Sequence, residues 1–390
     1  LTDDDRTRTD VLLAIARACR LRYDTDAFRA ALERALSLDP PAAVSAEILS
    51  QLAHAGSAPE LWRTPPGRAA VEAWAARSLA LAEPRSRAAA LALMARARTS
   101  PGSGRASADA AVDVAERIGD PALIASAFLV QAEEATARGV LEEAREWTER
   151  ALAATSDPFE RDGLLLGAVF AFARLGRIPA ARACAAEHDA ITAHISPHQE
   201  VHAIAARLVV ETTAASWGAA RALAGRAGAA AVANRDTPCQ FNWRSLLMAA
   251  LAHGQLGEQR EARRLQQRAL SVVEVGGPAS REPALIRLEL LRGDLDAVER
   301  LLAEDPGAGK YDVDYRAARL DALAALGDAE RVEREAAAVI DIGGYAAPFG
   351  LRALGVVRGE RDLLDQAAAA FDALGLDARA DETRSGRGGD

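Results

Sequence analysis

Histidines are the side chains of this sequence best placed to do chemistry. Four of the six lie within fifteen residues, and they are His188, His194, His198 and His202. His198 and His202 are spaced i, i+4 and would share one face of a helix, a spacing that can hold a metal ion. Pro197 is expected to begin that helix, so the two earlier histidines precede it. Because only Glu187 or Glu200 could complete such a site, we predict structural or solvated histidines and no bound metal.

Two short strings imitate functional motifs. Residues 306–310 read PGAGK, but a phosphate-binding loop needs Ser or Thr after the lysine, and Tyr311 stands there. We therefore predict a plain turn between helices. Residues 292–294 read RGD, which is an adhesion motif in other settings. Here the glycine is predicted to supply a positive φ and the aspartate to cap the next helix.

No arrangement of residues in the sequence predicts catalysis. We find no Gly-x-Ser-x-Gly elbow and no Cys–His pair with a plausible orienting group. The acidic residues are spread over many segments, as on solvated helix faces. We therefore predict a protein that is not an enzyme and that carries no cofactor.

The composition indicates an all-α fold. Of the 390 residues, 50% are hydrophobic and only 4% aromatic, and Ala and Leu dominate the apolar set. The net charge of -9 argues against a nucleic-acid surface. Three isolated cysteines, Cys19, Cys184 and Cys239, predict a reducing cytoplasm rather than a disulfide framework. No apolar run reaches the roughly 18 residues of a membrane span. Since the chain begins at Leu1, we expect a piece of a longer protein.

A turn glycine recurs along the chain at a nearly constant interval. It occurs at Gly139, Gly176, Gly257, Gly293, Gly327 and Gly359, with Ala215 in its place in one copy. The steps between these positions are 37, 39, 42, 36, 34 and 32 residues. An interval of this length, made of helix, tight turn and helix, is the signature of a stacked helical repeat.

The repeats suggest how the chain is divided. Residues 1–99 are predicted to form N-terminal helical repeats, and 108–380 to form the regular repeats. The segment 100–107, SPGSGRAS, is the most linker-like stretch. It could separate two subdomains, but a loop between repeats is favoured because helix pairs of the same length continue on both sides. Residues 381–390 are predicted to be a disordered tail.

The repeat resembles the tetratricopeptide repeat. The best single copy consists of Phe128, Ala132, Gly139, Ala144 and Ala151. The resemblance implies a right-handed α-solenoid of tetratricopeptide-like helix pairs, roughly nine or ten of them by the interval.

The same resemblance implies a binding groove. In tetratricopeptide arrays the first helix of each pair lines the concave face, and the turn glycines place five residues there: Glu133, Phe170, Arg174, His202 and Arg244. An aromatic ring and two arginines among small residues could hold an anionic or peptide ligand. The alternative is that they are ordinary lining residues. If they bind, replacing Arg174 and Arg244 by Ala is expected to weaken binding without unfolding the array.

A narrower resemblance covers most of the chain. The segments MAALAHGQLGEQREARRLQQRAL (248–270) and LRALGVVRGERDLLDQAAAAFDALG (351–375) resemble the C-terminal helical arm of large bacterial signalling ATPases, including LuxR-type transcriptional regulators and cyclase-associated ATPases. This implies a sensory and protein-interaction domain that binds a protein, peptide or small-molecule inducer and controls an attached ATPase. The alternatives are a free-standing adaptor that bridges proteins, and an enzyme with an unrecognised site.

Overall fold

The computed structural model describes residues 3–58, 62, 64–100, 104–192, 195–237, 239–272, 282–303 and 312–386. These residues form 22 α-helices and no strand, which confirms the predicted all-α fold. None of the helices in these ranges is long and apolar enough to cross a bilayer.

The first eleven helices are α1 (Asp3–Leu21), α2 (Thr25–Leu36), α3 (Ala42–Gly56), α4 (Arg68–Leu81), α5 (Arg87–Thr99), α6 (Arg105–Ile118), α7 (Pro121–Ala137), α8 (Leu141–Ala154), α9 (Pro158–Arg174), α10 (Ile178–Thr192) and α11 (Pro197–Thr213). The others are α12 (Trp217–Ala222), α13 (Ala224–Ala233), α14 (Phe241–Gln255), α15 (Gln259–Leu270), α16 (Pro283–Arg292), α17 (Leu295–Leu302), α18 (Asp312–Ala325), α19 (Ala329–Ile342), α20 (Ala347–Arg358), α21 (Arg361–Ala373) and α22 (Asp377–Arg384).

Two sets of contacts organise these helices. Helices adjacent in sequence pack as pairs, such as α7 with α8, α9 with α10 and α14 with α15. A second set joins alternate helices in the order α3, α5, α7, α9, α11, α14, α16, α18 and α20. The first helices of successive pairs therefore stack against one another, as expected of a helical repeat.

The turns between paired helices share one backbone conformation, and the positive φ predicted for Gly293 is confirmed at 69°. All six repeat glycines have positive φ, between 66° and 79°. Ala215, in the copy without glycine, also has a positive φ, of 53°. Asp120 caps α7 and Asp294 caps α17 by accepting backbone N–H bonds, as the sequence predicts.

Two predicted irregular segments are partly helical. α6 begins at Arg105, inside the predicted loop 100–107, and residues 381–384 of the predicted tail belong to α22. The prediction of disorder was wrong there because Ala380 and Thr383 are buried, and packing rather than propensity stabilises the helix. Three segments with predictions lie outside the described residues: 101–103, the PGAGK string at 306–310, and 387–390.

The C-terminal helices fold back onto the middle of the chain. One buried cluster joins Phe172 of α9 to Phe349 of α20 and Phe371 of α21. The backbone N–H of Tyr345 donates to the carbonyl of Arg174 at 2.8 Å. Contacts between residues so far apart in sequence therefore join α9 to the C-terminal helices.

Candidate functional site

A cavity of about 220 Å³ lies among the first helices of the central pairs. Its lining comes from α7, α8, α9, α11, the start of α14 with the two residues before it, and the second residue after α3. The lining residues are Ala58, Leu129, Ala132, Glu133, Thr136, Thr148, Gly163, Leu166, Gly167, Phe170, Ala171, Arg174, His202, Cys239, Gln240 and Phe241. Ala132 of α7 and Gly163, Gly167 and Ala171 of α9 are among the lining residues, and their short side chains leave space between the stacked helices.

Four of the five residues that the repeat pattern predicts line this cavity. They are Glu133 on α7, Phe170 and Arg174 on α9, and His202 on α11. These three helices occupy equivalent places in successive pairs, which is why alignment on the turn glycines brings their residues together.

The charged groups of the cavity already have partners. Glu133 accepts from Arg98 Nε at 2.7 Å. Arg174 lies 3.3 Å from Asp314 of α18 and stacks over Phe170, 5.6 Å from the ring centroid. Both charged side chains are therefore paired within the protein. Most of the remaining cavity surface is apolar, with a few polar atoms.

Arg244, the fifth residue, is not among those that line the cavity. Its side chain on α14 is buried and its Nε donates to Glu282, at the start of α16, over 2.5 Å. A buried carboxylate draws the guanidinium toward the next helix pair, and the spacing from a turn glycine carries no information about that partner. Removing both arginines would therefore break a buried ion pair as well as alter the cavity.

Two imidazoles and a thiol form a cluster beside the cavity, and two of its members, His202 and Cys239, line the cavity. Nε2 of His202 lies 3.4 Å from Sγ of Cys239, and the rings of His198 and His202 are 4.3 Å apart. One ligand atom from each of these three side chains lies within 4.8 Å of the others. The sequence analysis missed Cys239 because it lies 37 residues beyond His202 and shares no motif with it.

Burial keeps the cluster uncharged. It raises the pKa of the Cys239 thiol to about 12 and lowers the pKa of His198 to about 4. Burial also lowers the pKa of His202 well below its ordinary value. Both imidazoles are therefore neutral near pH 7, the form that offers a lone pair to a metal.

The other predicted metal candidates are engaged elsewhere. His188 is buried and its Nε2 lies 2.7 Å from Oδ1 of Asp162, whose other oxygen, Oδ2, accepts a hydrogen bond from Nε2 of Gln199. Although burial opposes ionisation of Asp162, its hydrogen bond with His188 helps lower the pKa of the carboxyl. Glu187 and Glu200 form ion pairs with arginines. His194 lies outside the described residues.

No protein-family model matches this chain, and no curated protein is significantly similar to it.

Proposed function

We propose that this chain is a non-catalytic sensory domain, built as a right-handed solenoid of tetratricopeptide-like helix pairs, that binds a ligand in its central cavity. The observation that carries the proposal is the convergence of Glu133, Phe170, Arg174 and His202, from three successive first helices, on one cavity. In the full-length protein the domain controls a signalling ATPase, as the resemblance of its repeats to the arms of bacterial regulators implies.

The cavity suits a small, largely apolar molecule better than a peptide. Its volume of about 220 Å³ is too small for an extended chain of several residues. The rings of Phe170 and Phe241, whose centroids are 6.1 Å apart, form an apolar wall. A polar group on the ligand would meet Gln240 or the edge of the Arg174 guanidinium.

Arg174 gives ligand binding a route to the rest of the molecule. Its contact with Asp314 joins α9 to α18, 140 residues further along the chain. A ligand that binds Arg174 competes with that contact and shifts the balance between two arrangements of the C-terminal helices. The change in the arrangement of the C-terminal helices would be transmitted to an attached ATPase.

Gly163 provides a direct test of the cavity. It lines the cavity, and a Cβ at this position would meet nothing within 4 Å. Gly163→Leu adds a branched side chain at the cavity wall, whereas Gly163→Ala adds only a methyl group, for which there is open space. We expect compounds that bind the wild type, found by ligand-observed NMR of small aromatic and aliphatic amides and acids, to lose at least about tenfold in affinity with the leucine variant.

The outcomes separate the competing functions. Equal affinity of the leucine and alanine variants would place the ligand elsewhere. If ligands bind but small-angle scattering shows no change in shape, the chain is a constitutive adaptor rather than a sensor. Helix content by circular dichroism must match between the two variants for the comparison to hold.

A further inference from the structure

The cluster of His198, His202 and Cys239 has the ligand set of a transition-metal site. His198 and His202 project from adjacent turns of α11, and Cys239 lies two residues before α14. The 3.4 Å between Sγ of Cys239 and Nε2 of His202 is close to the ~3.5 Å that a tetrahedral ion with bonds of about 2.3 and 2.0 Å would impose. Small side-chain rotations would bring the third ligand into range.

His198 supplies independent evidence that the cluster takes a ligand. It is only 2% exposed, and neither ring nitrogen has a hydrogen-bond partner among the residues that the structure describes. A buried polar group without a hydrogen-bond partner is destabilising, so such a group calls for an explanation. A metal ion bound to one nitrogen would remove most of that destabilisation.

The surrounding side chains hold the cluster in place. The Tyr23 ring stacks on His198 with centroids 3.9 Å apart, and Phe241 packs edge-on against His202 at 5.3 Å. This aromatic packing restricts the rotation of both imidazole rings.

We propose that His198, His202 and Cys239 bind a divalent transition-metal ion, with Zn²⁺ the best match to two imidazoles and one thiolate. Binding replaces the thiol proton of Cys239, which is released to solvent, with a sulfur–metal bond. His202 and Cys239 line the cavity, so the fourth coordination position faces it and is open to water or to a donor atom of a bound molecule. The metal site stands whether or not the cavity accepts an organic ligand.

The test measures metal binding by the whole chain without an affinity tag. After addition of ZnCl₂ and dialysis, the wild type should retain about one Zn²⁺ per chain. Titration with Co²⁺ should give a thiolate-to-cobalt charge-transfer band and the strong visible bands of a tetrahedral centre. We expect Cys239→Ser to abolish the charge-transfer band, and Cys239→Ser and His198→Gln each to weaken zinc binding by at least about tenfold.

Matched variants elsewhere in the chain serve as controls. Cys184→Ser removes a half-buried thiol of α10, and His253→Gln removes a histidine of α14, and both should bind zinc like the wild type. If Cys239→Ser does not fold, the Cys19→Ser/Cys184→Ser variant answers the same question, because any remaining thiolate band must then come from Cys239. Absence of a thiolate band in the wild type, or zinc binding unaffected by His198→Gln, would overturn the proposal.

Discussion

Arg244 and Glu282 form an ion pair whose side chains are only 10% and 6% exposed. Burial raises the pKa of Glu282, although the charge of Arg244 opposes that effect. Arg244→Ala would leave a buried carboxylate without its partner, and we expect it to lower the free energy of unfolding by about 3–5 kcal/mol. Arg244→Met combined with Glu282→Gln should recover most of the loss, since neither charge remains. Urea denaturation measures the free energy of unfolding of both variants. Equal decreases for the single and the double variant would contradict this account.

His54 should make the stability depend on pH. Burial, followed by the positive charges of Arg98, Arg20 and Arg87, lowers its pKa well below the usual 6.5. The unfolded chain therefore binds the proton more tightly, so the free energy of unfolding falls as the pH drops below 6.5, by at most about 1.4 kcal/mol per pH unit for this group.

The His54→Gln variant isolates that contribution. It should be less sensitive to acid than the wild type in urea denaturation between about pH 7 and 5, because the proton-binding group is gone. His253→Gln, which leaves His54 in place, is the control and should keep the contribution of His54. Identical pH profiles of the His54→Gln variant and the wild type would show that His54 does not couple to folding.

At the scale of the elements, glycine is favoured at the turns because the backbone has a positive φ there, and not because a side chain would lack space. Gly257 has φ 79° and a Cβ there would meet nothing within 4 Å, so Gly257→Ala adds strain without a clash. We expect it to lower stability by about 1 kcal/mol. Gly163→Ala, in the middle of a helix and equally unobstructed, should raise stability by roughly 0.5–1 kcal/mol. Thermal and urea midpoints measure both, and a shift of the same sign would contradict the argument.

The helix pairs could be predicted from sequence because their signals are local. A glycine after an apolar stripe, and Asp120 before a proline, each specify a helix end within a few residues. Even Ala215 keeps the left-handed turn, since the helices on both sides fix its backbone. α22 escaped prediction because its sequence is polar and its stability comes from burial of Arg379, Ala380 and Thr383.

The candidate site could be predicted only in part, because it depends on the whole molecule. The repeat register stacks equivalent helices, and it therefore predicts that Glu133, Phe170 and His202 lie close together. The nearness of Cys239 to His198, and the pairing of Arg174 with Asp314, arise from tertiary packing and carry no sequence pattern. Three-dimensional proximity decides which partner a buried polar side chain contacts. The periodic pattern of apolar residues in the sequence therefore cannot predict that partner.

The return of the C-terminal helices to α9 depends on a close approach at Gly344. A Cβ there would lie 2.5 Å from the Arg174 carbonyl and 2.7 Å from Leu141, and φ is 55°. Gly344→Ala should therefore separate this turn from α9 and enlarge the molecule in small-angle scattering while preserving helix content. Gly359→Ala, with φ 66° and nothing within 4 Å, imposes similar backbone strain without the clash and should keep the wild-type dimensions. If both variants scatter alike, the close approach of Gly344 to the Arg174 carbonyl does not determine how the C-terminal helices pack against α9.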